Sequence, residues 1–70
     1  MELNKEQIML IEDMSRQLPD IRREMGLSQT EFGDLVGLSR QTISAIERGT
    51  QPLSWKNYLA IKMVMSEKIK

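Results

Sequence analysis

Seventy residues allow one small domain, and a chain this short buries only about 60 % of the surface it exposes when unfolded, so outside support is to be expected. Cysteine and histidine are both absent, which excludes disulfides, the usual zinc sites and the common nucleophile-plus-base arrangements of enzymes. Formal net charge is zero but unevenly laid out: residues 1–38 hold four basic and eight acidic groups, a balance of −4, and residues 39–70 hold six basic and two acidic groups, a balance of +4.

No uninterrupted apolar run exceeds four residues, as in the IMLI of residues 8–11, far short of the roughly 20 that span a bilayer. Glu2, Lys5 and Glu6 interrupt any signal-peptide core, so the expectation is a soluble, cytoplasmic protein with no membrane partner. Ile8, Ile11, Met14, Leu18, Ile21 and Met25 are spaced 3, 3, 4, 3 and 4, which is helical spacing, with Pro19 inside the series. Proline breaks or kinks a helix interior but is tolerated in a first turn. The reading is two helices, residues 4–17 and 19–25, with one kinked helix as the alternative; Gly26 closes the second with a left-handed cap.

Ser28, with Glu31 three places on, makes a capping box, and Phe32, Leu35 and Val36 form the inner face of the helix that Gly37 ends. Ser39 caps the next helix, with Ile43 and Ile46 on its buried side, and Gly49 stops it. TQPLS is a loop turning at Pro52. Ser54 then caps a last helix, residues 54–68, on which Trp55, Leu59 and Met63 share the inner face at i, i+4 and i+8, with Tyr58 beside them in the core. No strand candidate survives, so the domain is all-α.

Two helices joined as tightly as those of residues 28–49 must cross steeply, leaving the second to project. Its outer side carries Arg40, Gln41, Ser44, Ala45 and Arg48 where a plain surface helix would carry Glu and Lys. Arginine pairs with guanine edges, glutamine with adenine, and a small apolar group touches the thymine methyl. The projecting helix therefore has the chemistry of a major-groove probe.

GLSQTEFGDLVGLSRQTISAIERG resembles the helix-turn-helix of the Cro/C1-type (XRE) repressors of bacteria and phages. The likeness is carried by Gly26-Leu27-Ser28-Gln29, Phe32-Gly33, Val36-Gly37-Leu38-Ser39, Ile43-Ser44 and Ile46-Glu47-Arg48-Gly49, and extends over about residues 18–59. It implies a lambda-repressor-like fold of about five helices, here with an extra N-terminal helix and a long C-terminal one, and no cofactor or enzymatic activity. By position, Arg40, Gln41, Ser44 and Ala45 would touch bases, and Gln29, Ser39, Arg48, Thr50 and Gln51 would touch phosphates. Arg22 and Glu47 would form a structural pair, Gly33 would let the two motif helices approach, and Gly37 and Gly49 would close them. The sequence departs from the family in Pro19, in the segment up to residue 17, and in a continuation toward Lys70 where a fifth helix is usual.

The run IMLI points right round a helix, and Ile61, Met63, Val64, Met65 and Ile69 likewise point several ways. Such surplus predicts a homodimer with one or both terminal helices in the seam, which would set two probes about one DNA turn, roughly 34 Å, apart. The functional expectation is a dimeric sequence-specific regulator, a repressor. The alternative is an antitoxin or other interaction module of the same fold, whose apolar faces meet a protein partner such as a toxin.

Overall fold

The computed structural model describes residues 2–69, and the side chains of residues 2–67; the side chain of Ile69 and all of Lys70, named above, lie outside them. Every regular element among the described residues is a helix: α1 (Lys5–Glu24), α2 (Gln29–Val36), α3 (Arg40–Arg48) and α4 (Trp55–Ile69). Helices α1 and α2 each pack against both α3 and α4.

Local chemistry marks the boundaries. Asn4 and Gln7 form a reciprocal capping box at the start of α1, and Ser28 and Glu31 form another at α2. The first three helices each close on a glycine of positive φ, with paired hydrogen bonds back to the last turn. At α2 these are Gly37, with φ 77°, and the bond from the Leu38 amide to the Gly33 carbonyl at 2.8 Å. The same arrangement ends α1 at Gly26 and α3 at Gly49.

The two-helix reading of residues 4–25 is corrected: Lys5–Glu24 form one α-helix, and the described residues hold four helices where about five were expected. Pro19 lies in its interior, where it donates no hydrogen bond to the carbonyl of Ser15. The apolar stripe explains why the helix continues. Ile11, Met14 and Leu18 are buried and Ile21 and Met25 half-buried on one face, so stopping at residue 18 would pull half the stripe off the core. That burial outweighs a proline penalty of about 3 kcal/mol.

Leu18, Phe32, Ile43 and Ile61 are fully enclosed, with Ile46 and Leu53 nearly so. Two expected core assignments are corrected. Leu35 is half exposed, because α2 presents Phe32, Gly33 and Val36 to its neighbours and residue 35 falls on the flank of that face. On α4 the inner face is Tyr58 and Ile61, whereas Leu59 and Met63 point out. Both sides of α4 are apolar, so its periodicity favours neither; packing on α1 and α2 chooses between them. Trp55 is half-buried and stacks on Tyr58, ring centroids 4.8 Å apart.

The tightest approach in the fold is at Gly33. A Cβ there would sit 2.3 Å from the carbonyl oxygen of Leu38, a backbone atom that cannot swing aside. Gly33→Val is expected to destabilise by about 2–3 kcal/mol, read as a lower urea midpoint at unchanged m-value. Pro19→Ala acts oppositely: restoring the donor inside α1 should raise stability by about 2 kcal/mol, visible as a higher Tm by circular dichroism.

Candidate nucleic-acid interface

Helix α3 divides cleanly. Ile43 and Ile46 go into the core, while Arg40, Gln41 and Arg48 are exposed and Ser44 and Ala45 lie half-covered between them. Gln41, Ala45 and Arg48, at i, i+4 and i+7, make the stripe opposite the core. Arg40 sits at the first helical position, beside the N-terminus.

Ser39 starts the helix. Its Oγ accepts from the amide of Thr42 at 3.1 Å and lies 3.0 Å from the Thr42 hydroxyl, a contact that a Ser-x-x-Thr spacing hints at and that sequence reasoning missed. The first turn of α3 holds no acidic side chain, unlike those of α1 and α2, so the positive end of its dipole is left for an outside anion.

Position and tilt of α3 are held by a polar clamp. Arg22, on α1, donates through Nε to Glu47 Oε2 at 2.8 Å and through its terminal nitrogen to Oε1 at 3.2 Å, a two-pronged pair joining α1 to α3. Its remaining nitrogen donates to the carbonyl of Leu27 at 3.0 Å, fixing the turn before α2. Gln29, at the start of α2, adds a bond from its amide to Glu47 Oε1 at 3.2 Å. Three helices thus meet at one carboxylate. No pattern in the sequence signals the Gln29 link, because it joins residues 18 apart across a turn.

The side chains of Arg22 and Glu47 are only 14 % and 9 % exposed. Burial pushes the Glu47 carboxyl up, but the bonds from Arg22 and Gln29 outweigh it and hold the group below its ordinary value. The bond to Glu47 likewise raises Arg22, and the Ser28 amide lowers Glu31. The clamp has an electrostatic consequence for the outer face. The single acid of α3 is turned in and neutralised, and Arg40 and Arg48 enter none of the ion pairs among the described residues. The exposed face is therefore cationic although the chain is neutral overall.

Of the other residues with expected roles, Arg48 and Gln51 are exposed at and after the end of α3. Thr50 follows Gly49 and caps α3 twice over, its amide and its hydroxyl both donating to the carbonyl of Ala45, at 2.9 and 3.1 Å. Gln29 directs one amide proton at Glu47 while remaining only half-buried, so it links the clamp to the surface. No group of three or more metal-ligating side chains occurs among the described residues, and no helix there is long and apolar enough to cross a membrane.

A short tight turn between two packed helices and an open cationic second helix define a class, and comparison with known proteins agrees. A family model described as helix-turn-helix matches residues 20–57, more than half of the chain, which belongs to that family in its Cro/C1 (XRE) type. The chain is also 42 % identical over 36 residues to a Bacillus subtilis (strain 168) protein named as an uncharacterized HTH-type transcriptional regulator, YgzD. That match takes in 51 % of this chain and 54 % of the relative, so the chain spans about half the length of the curated relative it matches.

Glu47→Gln tests the clamp through pH. The unfolded chain takes up the Glu47 proton near the ordinary value of about 4.3, and the folded chain only at lower pH. The pair's contribution is therefore complete above that value and is lost as pH falls through the folded one. Urea titrations should show the variant less stable by about 2 kcal/mol at pH 7, with the gap to wild type narrowing toward pH 3.

Proposed function

We propose that this chain is a sequence-specific transcriptional repressor that binds duplex DNA as a homodimer, each copy placing α3 in the major groove. The family makes it a DNA-binding regulatory domain; the finer reading is carried by one observation, the outward stripe of α3 with its two arginines, unpaired among the described residues, and its polar, small companions. Arg40 and Gln41 read base edges, Arg40 suited to guanine and Gln41 to adenine, and Ser44 and Ala45 line the same groove wall. Arg48, Gln51 and the N-terminus of α3 at Ser39 hold phosphates, and Gln29 adds a phosphate contact while bracing Glu47. Thr50 joins them once its hydroxyl turns from Ala45 toward a phosphate oxygen.

A second reading, an antitoxin-like module that joins a protein partner while α3 still holds DNA, is favoured by the exposed Ile8, Met9 and Leu10 on α1. It requires a complex of fixed stoichiometry with that partner, and purification from the native host as a single species of one chain would count against it.

Selection of duplexes from a random pool supplies the operator. Arg40→Ala should then cost about 1–3 kcal/mol and relax discrimination at one base pair, whereas Arg48→Ala should weaken all sequences alike and lower the salt slope by about 1. Gel-shift titrations in which neither variant differs from wild type would overturn the assignment of α3 as the probe.

A further inference from the structure

We propose that Arg16 on α1 grips the DNA backbone beside the end of α3, and that Asp13 holds this arginine until DNA is bound. The contact adds to the DNA reading above and rests on it. A groove separates α1 from the segment that follows α3. Ile11 and Leu53 are its buried floor; α1 contributes Glu12 and Arg16 to its border, and the segment contributes Thr50 and Gln51. Thr50 and Gln51 are among the residues proposed above to hold phosphates, and Arg48 comes just before them. A strand held there runs past the mouth of this groove, with α1 as its other border. Arg16 is the basic side chain that α1 places in that border.

The arginine is held in a way that is easily given up. Its terminal nitrogen donates to Asp13 Oδ1 at 3.1 Å, and the two side chains are 72 % and 58 % exposed. A pair one turn apart on a helix, open to water, holds weakly and is screened by salt. A phosphate offers the guanidinium two oxygens in a geometry its planar fork matches. Release does not strand the carboxylate, because Gln17 Nε2 donates to the other oxygen of Asp13, Oδ2, at 3.0 Å. The similar pair further along α1, Arg23 with Asp20 at 3.3 Å, has no such second donor among the described residues. Asp13 thus acts as a latch that stays satisfied when Arg16 leaves.

Charge limits the contact to one phosphate. Glu12 borders the same groove one turn before Arg16 and is exposed, so it repels a strand lying toward the start of α1. Lys62 lines a separate groove, between α1 and α4, with Asp13 and Gln17. It supplies a cation close to the latch but outside the groove that Thr50 and Gln51 border.

Salt titrations of operator binding by the full chain test this. Arg16→Ala should keep the helical spectrum, lower the salt slope by about 1, and weaken operator and unrelated duplex alike. Arg16→Lys, which keeps the charge, should hold the slope, and Lys62→Ala should leave it unchanged. Asp13→Asn should tighten binding, and much less so once Arg16 is alanine, because its effect passes through that arginine. Duplexes carrying one neutral methylphosphonate at a time then locate the partner: one position should lose its effect in Arg16→Ala, and a different one in Arg48→Ala. If Arg16→Ala keeps the wild-type slope while Arg48→Ala lowers it, the grip is overturned and α3 remains the probe. A slope lowered equally by Lys62→Ala, or no methylphosphonate position silenced in Arg16→Ala, overturns it as well. A wild type that binds no duplex overturns both readings.

Discussion

The carboxylate of Glu47 is the point on which the arrangement of the first three helices depends. A half-buried charge is costly unless its lone pairs are filled, and here Arg22 from α1 and Gln29 from α2 fill them. The same arginine holds the Leu27 carbonyl in the turn between those helices. Apolar contacts drive the helices together but are non-directional, and they tolerate small slides and rotations. A two-pronged ion pair does not. For the base-reading role proposed for α3, that directional restraint matters more than its modest net energy.

The clamp also shapes the charge that DNA would meet. Turning Glu47 inward removes the only acid from α3, so a chain of zero net charge presents Arg40 and Arg48 on a locally positive surface. Net charge is a poor guide to the partner of a molecule this small; the field near one helix depends on which charges pair and where they point. Gly33 serves the same end from the other side. Without a side chain there, the turn into α3 passes directly over α2.

Stability and assembly are linked through the terminal helices. The core is built from few residues, as the size of the chain dictates, and α1 and α4 each close one side of it with a single face. Their remaining apolar residues stay in water, above all Met9 and Met63. Covering them would enlarge the apolar interior without lengthening the chain, the economical course for seventy residues.

The residues by themselves determined what depends on near neighbours: the capping box of Ser28 and Glu31, the glycine ends of the first three helices, and the sidedness of α3 from Ile43 and Ile46. Those outcomes follow from hydrogen-bond chemistry and allowed φ within a few residues, so they can be read locally. The pairing of Arg22 with Glu47 was suggested only by family likeness, since nothing local brings them together. Three matters were left to the tertiary structure. Helix α1 runs through Pro19 because its apolar stripe needs both halves on the core; Leu35 is left on a flank of α2; and α4 turns Tyr58 and Ile61 inward where Leu59 and Met63 had an equal claim. In each case local preference was balanced or opposed, and the contacts that decided come from residues distant in the chain.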